Sequence, residues 1–536
     1  MPFHYKAFVI VMVLTMVSFL VAKPVFVHFM STEDFARRRN TWLALTTAAF
    51  LLPNFWLFAL VAVLLLAYAA RRDSNPAALY LFLLLALPPI SRTISIPGAI
   101  NALLTVDHLR LLTLAVLVPV AVRLLRAPTP LTVDGFAATR ASRWALPDVL
   151  LLSYLTLQLV LAFPVQSITA SARLAVDLFV FTALPYFVIS RTLDTHERVV
   201  EGMAAFTLGM ALLVPLGVVE FVKGWVLYQG LEGRWEGEHM FSYLMRNTFL
   251  RAQVSAGHSL VFGFALAVAF GMWLYLQTRL QARAWRWLGV VTFVTGLIVT
   301  LARGSWLGAA LVLIAFSLVG PNALRRFLKT AAVVGLICAA VLAMPYGQKV
   351  IDILPFVGTH DEASITYREK IAEASWQIIK VNPFFGSFSY MQYMGSLRQG
   401  EGIIDIVNTY AGVALTYGLV GTVLYVGFYL SIAWGCYKAI RQESAIDPDL
   451  SLVGTSLLAC LFGTLLMIAT VGQYLSVPSV QMGVAGLASA FVAVARRRFE
   501  INKLSDPATS EPPTVARFKR TQLVAGAHLG DGARGE

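Results

Sequence analysis

The chain has 536 residues, 58% of them hydrophobic and only 13% charged, with a mean hydropathy of +0.72. A soluble domain of this size has no way to hide that much apolar surface, so its repeated apolar runs read as membrane spans. The formal net charge of +13 does not point to nucleic acid, because the Lys and Arg residues cluster at span ends, where they set orientation.

The first apolar run, Ala7 to Ala22, is followed by many more and by no small-residue cleavage site, so it reads as a retained span and not a signal peptide. The second, 42–70, is ambiguous. As one helix at about 1.5 Å per residue it would be roughly 45 Å long, well beyond a ~30 Å hydrocarbon core. Pro53-Asn54 sits near its middle. A hairpin of two short spans would place Arg37-Arg38-Arg39 and Arg71-Arg72 on the cytoplasmic side together, and a single tilted span would leave one cluster outside. Further spans are predicted near 77–90, 108–125, 147–163, 173–190, 200–222, 258–277, 286–302, 305–319, 330–345, 408–434, 452–472 and 478–494. The fold class is an all-α polytopic membrane protein with roughly 13–15 transmembrane helices. Its three cysteines, Cys338, Cys436 and Cys460, lie in apolar runs and have neither disulfide nor metal-ligand patterning. No phosphate-cradling glycine loop occurs, which argues against an ATP-driven pump.

In the second half, basic clusters fall at Arg279/Arg283/Arg286, Arg325/Arg326/Lys329, Lys438/Arg441 and Arg496/Arg497/Arg498. Successive clusters are two spans apart, so all four fit the cytoplasmic side. The outer segments are then 223–257, the turn at Arg303, the long loop 346–407 and the turn from Gln473 to Gln481. The loop is polar, rich in aromatics and predicted to contain a short amphipathic helix. A connection that long in a bundle is usually a lid or a binding surface. The expected organisation is N-terminal spans over 1–222, a membrane core with its periplasmic loop over 223–499, and a disordered cytoplasmic tail over 500–536.

Four segments at the outer side carry chemistry-bearing residues. In Thr300-Leu-Ala-Arg-Gly-Ser-Trp306, Arg303 sits between two apolar runs. Such a guanidinium either snorkels beside an anchoring Trp306 or clamps an anion, and its planar fork suits phosphate. In the loop, Thr366 and Glu369 have capping-box spacing, and the helix should stop at Asn382-Pro383. Lys370, Glu373, Gln377 and Lys380 share a polar face, and Arg368 lies over Ala372, Ser375 and Ile379, the side expected to pack. Arg368 therefore needs a carboxylate partner or serves as a second anion clamp. Trp376, Phe384, Phe385, Phe388, Tyr390 and Tyr393 surround this helix. Aromatic faces stack on sugars and also anchor loops at the interface. The segment Arg246 to His258 offers Arg251 and His258 for diphosphate contact or proton transfer, with a helix-start cap as the alternative for His258. Asp405-Ile-Val-Asn408-Thr-Tyr410 opens the next span, with Asn408 also placed to cap it. The small residues of Ala414 to Gly421 suit close helix packing.

At these places the chain resembles the O-antigen polymerase/ligase superfamily of bacterial surface polysaccharide assembly. The matching residues are Leu301-Ala-Arg303-Gly-Ser-Trp306, then Arg368 followed by Trp376 to Gly386, then Asn408-Thr-Tyr with Gly418-Leu-Val-Gly421. The likeness covers roughly 246 to 430. It implies a metal-independent glycosyl transfer on the outer face of the bacterial inner membrane, without a cofactor. The implied donor is a glycan carried on undecaprenyl diphosphate, and the implied partners are membrane lipids, a flippase and a chain-length regulator. By this resemblance Arg303 and Arg368 hold the leaving diphosphate, and Asn408 belongs to the family's His-Asn pair. The family's ligases have a histidine where this chain has Val407, which favours a polymerase of capsule, exopolysaccharide or O-antigen over a ligase. The base is then open among Asp405, Glu369, His360, Asp361 and His258, with Asp405 first for its place beside Asn408. Substrate contacts are expected from Arg251, His258, Trp376 and Tyr390. A flippase or transporter of lipid-linked glycan is the alternative from another class. The long loop and the lack of matched halves weigh against it.

Overall fold

The computed structural model describes residues 3–96, 100–126, 132–133, 136–137, 145–232, 235, 242–246, 248–319, 324–325, 327–329, 331–332, 335, 362–398, 404, 406–473 and 476–505. The chain divides into a unit Met1–Ala495 and a unit Arg496–Glu536, and the described part of the second is helical to Ser505. Nine helices among the described residues are long and apolar enough to cross a membrane, and the protein is an all-α polytopic membrane protein.

Helix α1 (Phe3–Phe26) buries Ala7, Val11, Thr15 and Phe19 along one stripe and exposes Val9, Val13, Val17 and Leu20 on the other. A helix at the lipid-facing rim of a bundle has this pattern. The ambiguous run 42–70 is a hairpin of α2 (Thr32–Leu51) and α3 (Phe55–Arg72). Pro53 lacks the N–H that a continuous helix needs, and Asn54 Oδ1 accepts from Trp56 N and Leu57 N as a new cap. The two arms are tied at their far ends. Buried Arg38 bonds Asp73 at 2.8 and 3.0 Å and Glu201 at 2.5 Å.

The run 77–90 is not a full span. Helix α4 (Pro76–Leu83) stops early, and β1 (Ser91–Ile96) pairs antiparallel with β2 (Ile100–Asp107). Pro88 and Pro89 remove two donors, and the β-branched alternation that follows favours a strand. Carbonyls freed at the end of α4 are satisfied in place. Ser255 Oγ donates to Leu85 O at 2.6 Å and Trp42 Nε1 to Ala86 O at 2.7 Å.

The next helices are α5 (His108–Arg126), the shorter apolar α6 (Leu146–Ala162), α7 (Ile168–Thr192) and α8 (His196–Lys223). Single π-turns interrupt α5 at Thr113–Leu117 and α7 at Phe179–Ala183. Helix α9 (Ser259–Leu276) is apolar all round and buried at every residue except Leu260, so it forms the centre. Around it pack α8, α10 (Arg283–Thr300), α11 (Arg303–Leu318) and α14 (Pro448–Met467). Helix α13 (Thr409–Glu443) packs on α6 and α14, the loop helix α12 (Glu362–Val381) packs on α13, and α15 (Val477–Ser505) is the last. The helix α15 runs past the predicted tail boundary at 500. The predicted span 330–345 lies almost wholly outside the described residues, as do loop residues 346–361 and the tail from 506.

Salt bridges mark one end of the bundle. Asp449 bonds Arg279 and lies 3.2 Å from His196, while Asp148 lies 2.9 Å from Arg191. His196 and Glu201 both sit in the first turns of α8, so these pairs and the Arg38 network share an end. The clusters at Arg37–Arg39, Arg71–Arg72 and Arg279 therefore lie together, as the charge bias requires.

Candidate functional site

At the opposite end, α10 stops because Leu301 adopts a left-handed conformation (φ 47°), and Arg303 opens α11 two residues later. Trp306 Nε1 donates to Leu297 O at 2.7 Å, so its ring staples α11 back onto α10. Two further arginines reach this turn from a small hairpin, β3 (Met245–Arg246) and β4 (Phe249–Leu250). An Arg246 Nη donates to Leu301 O at 2.8 Å and Arg251 Nε to Thr300 O at 3.4 Å. Both guanidinium groups thus rest on the carbonyl end of α10, where a positive charge is favourable. Arg246 was not singled out from the sequence. Its signal was a second arginine five residues before Arg251 in the same polar segment.

Glu220, fully buried near the end of α8, holds this arginine segment in place. Its Oε1 accepts from Leu227 N, and its Oε2 accepts from Gln253 N and Val254 N, all at 2.9 Å. Val254 has φ 43°, an unusual value for a branched residue, and the carboxylate secures it. Nothing in the apolar run around Glu220 foretold this.

His258 caps α9, its Nδ1 accepting from Leu260 N at 3.1 Å. Burial first, and then the Arg251 charge, pull its pKa down to about 4. The imidazole is therefore neutral at pH 7, and with Nδ1 accepting it carries its proton on Nε2.

The start of α13 is pinned to the end of α14. Thr409 N donates to Ile468 O at 2.9 Å, Thr409 Oγ1 to Val471 O at 2.7 Å, and Tyr410 Oη to Leu465 O at 2.7 Å. Asn408 Oδ1 caps α13, accepting from Tyr410 N and Ala411 N. Thr470, in the same turn, packs directly on Gly304. Three of the four predicted segments, those of Arg251/His258, Arg303 and Asn408, therefore meet at one end of the bundle.

The loop helix differs from expectation at its start. It begins at Glu362, so Thr366 and Glu369 lie inside it and form no capping box. Its end at Val381 agrees, and Lys370, Glu373, Gln377 and Lys380 are exposed as expected. Arg368 and Ala372 are exposed too, because the packed stripe is Ile371, Ala374, Ser375 and Ile378. Arg368 has no partner among the described residues and so does not point into packing. Trp376 is exposed, with Lys380 Nζ 5.4 Å from its ring centre. Tyr390, by contrast, is buried with Met394, Ile404 and Leu415, so its ring is taken up in packing. Asp405, His360 and Asp361 lie outside the described residues.

Two of the quoted motifs prove to be halves of one contact. Helix α13 breaks at Gly418 (φ 67°, ψ −167°), and the loop segment Pro383–Ser387 fills the break. Leu419 N donates to Pro383 O at 2.8 Å, Val420 N to Phe384 O at 3.2 Å, and Ser387 N to Leu415 O at 2.8 Å. A Cβ on Gly418 would overlap the Phe384 carbonyl, and one on Gly386 would stand 2.5 Å from Leu415 O. Gly418 therefore serves main-chain docking of the loop, while Gly421 faces Tyr417 and Leu157 of α6.

Residues 288–426, from α10 to the first half of α13, match the O-antigen ligase family. No curated protein matches the chain. The Arg303 turn, the loop helix and the docked break at Gly418 all fall inside the stretch that is similar to the O-antigen ligase family.

Proposed function

We propose that the protein polymerises undecaprenyl-diphosphate-linked repeat units into capsular polysaccharide, exopolysaccharide or O-antigen at the periplasmic face of the bacterial inner membrane. The observation that carries this is the convergence of Arg246, Arg251 and Arg303 on the α10–α11 turn, next to the opening of α13. In the reaction, an acceptor hydroxyl attacks the anomeric carbon of the donor sugar. The bond from that carbon to the diphosphate oxygen breaks, and the hydroxyl proton passes to a carboxylate, for which Asp405 is the candidate. Arg303, with Arg368 from the exposed loop helix, holds the departing diphosphate by paired hydrogen bonds. Arg251 and the Nε2–H of His258 supply further donors, and Trp376 supplies an exposed ring for the glycan.

The description of the matched family favours a second reading, ligation of a finished glycan to another acceptor. Val407 in place of the ligase histidine supports polymerisation. Mass spectrometry of membrane lipids from a strain lacking the protein separates the two, with an impermeant label reporting sidedness. Single repeat units on the outer face support polymerisation, long lipid-linked chains there support ligation, and units trapped inside overturn both.

A further inference from the structure

A cavity of about 270 Å³ lies inside the bundle among α6, α7, α13 and α15. Tyr154, Gln158, Asp177, Thr182, Gln473 and Gln481 give it polar groups, and Phe181 and Phe428 give it aromatic faces. The π-turn in α7 contributes Phe181 and Thr182, and such turns often occur at functional sites. Two of the polar atoms, Tyr154 Oη and Gln481 Nε2, are buried without a partner among the described residues. Gln481 is held in position, because its Oε1 accepts from Tyr425 and Tyr429 hydroxyls at 3.0 and 3.2 Å. Gln158 is also buried and has no hydrogen bond among the described residues. Buried polar groups are costly in a membrane interior unless a ligand or water completes them.

The charge pattern narrows the ligand. No lining residue is cationic, and Arg110, the cation bonded to Asp177, is also engaged by Asp107. An anionic headgroup would find no counter-charge. Amides, a carboxylate, a hydroxyl and a phenol can each bond neutral hydroxyls, and aromatic faces can cover a ring's C–H surface. Gln473 lies two residues beyond Val471, whose carbonyl holds Thr409 beside Asn408, so the cavity adjoins the candidate site.

We propose that this cavity is a saccharide subsite that seats one neutral sugar residue of the glycan and leaves the diphosphate to the arginine end. This rests on the reading given under Proposed function. The test uses the full chain in lipid nanodiscs and three probes: bare undecaprenyl diphosphate, lipid-linked repeat units extracted from a strain lacking the protein, and the free repeat-unit oligosaccharide. The wild type should bind the glycan-bearing lipid at least about tenfold more tightly than the bare lipid. Gln158→Leu and Thr182→Val should each reduce that preference severalfold while leaving bare-lipid binding unchanged. Competition by the free oligosaccharide would identify a site that reads sugar alone, and its absence a site that needs the lipid-linked form; either agrees with a saccharide subsite. A wild type without the preference, or variants that fold normally and keep it in full, would overturn the proposal. Arg303→Ala separates the two levels, because unchanged bare-lipid binding in that variant would count against the arginine end and leave the sugar preference as an independent readout.

Discussion

Gly418→Ala should release the loop from the bundle. An alanine held at φ 67°, ψ −167° occupies a region that is almost exclusive to glycine, at about 1–3 kcal/mol. Its Cβ would also overlap the Phe384 carbonyl, and the chain can relieve that only by separating the two backbones. Three hydrogen bonds, from Ser387, Leu419 and Val420, are then lost at about 0.5–1.5 kcal/mol each. The sum is roughly 2.5 to 7.5 kcal/mol, and even the low end means a more than fiftyfold rise in the undocked population. Hydrogen exchange read by mass spectrometry on nanodisc-embedded protein measures this directly. Peptides covering Ser387 and Leu419–Val420 should exchange at least fifty times faster in the variant, while the centre of α9 stays protected. Unchanged exchange in those peptides would refute the docking account.

Arg303→Ala and Arg368→Ala should each abolish glycan product while the protein inserts at normal levels. Lysine at either position should restore only part of it, because a point charge lacks the two-oxygen fork; near wild-type product from an alanine variant removes that residue from the diphosphate site. His258 binds its proton near pH 4 when folded and near pH 6.5 when unfolded. The unfolded chain therefore takes up the extra proton between those values, and stability falls as pH drops from about 6.5 towards 4. His258→Asn keeps the helix cap and should flatten that part of the melting curve against pH; an unchanged slope would place the titration elsewhere. Arg38→Met leaves Asp73 and Glu201 buried without their cation and should cost about 3–5 kcal/mol in denaturant unfolding, with Arg38→Lys recovering only a part.

The span pattern was legible because apolar runs and proline breaks act locally. Pro53-Asn54 splits the 42–70 run for a reason visible in the residues themselves. The short α4 was not read correctly, since Leu79 to Leu87 is as apolar as any span. The Pro88-Pro89 pair and the β-branched residues before Pro97-Gly98 were the available signal for a hairpin. The site was legible as four segments but not as contacts. The face of Arg368 depended on where α12 packs, and the roles of Glu220 and Arg246 on residues distant in the chain. Gly418 looked like a helix-packing glycine because the partner that breaks the helix comes from the loop.

The contact at Gly418 is made by main-chain atoms, while Phe384 and Phe385 point outward and are more than half exposed. Recognition between loop and span is therefore blind to what those two positions carry. The chain can exchange both rings for other residues, and so change what it presents on that exposed surface, without loosening the joint. The freedom ends at Gly386 and Gly418, where even a methyl group has no room.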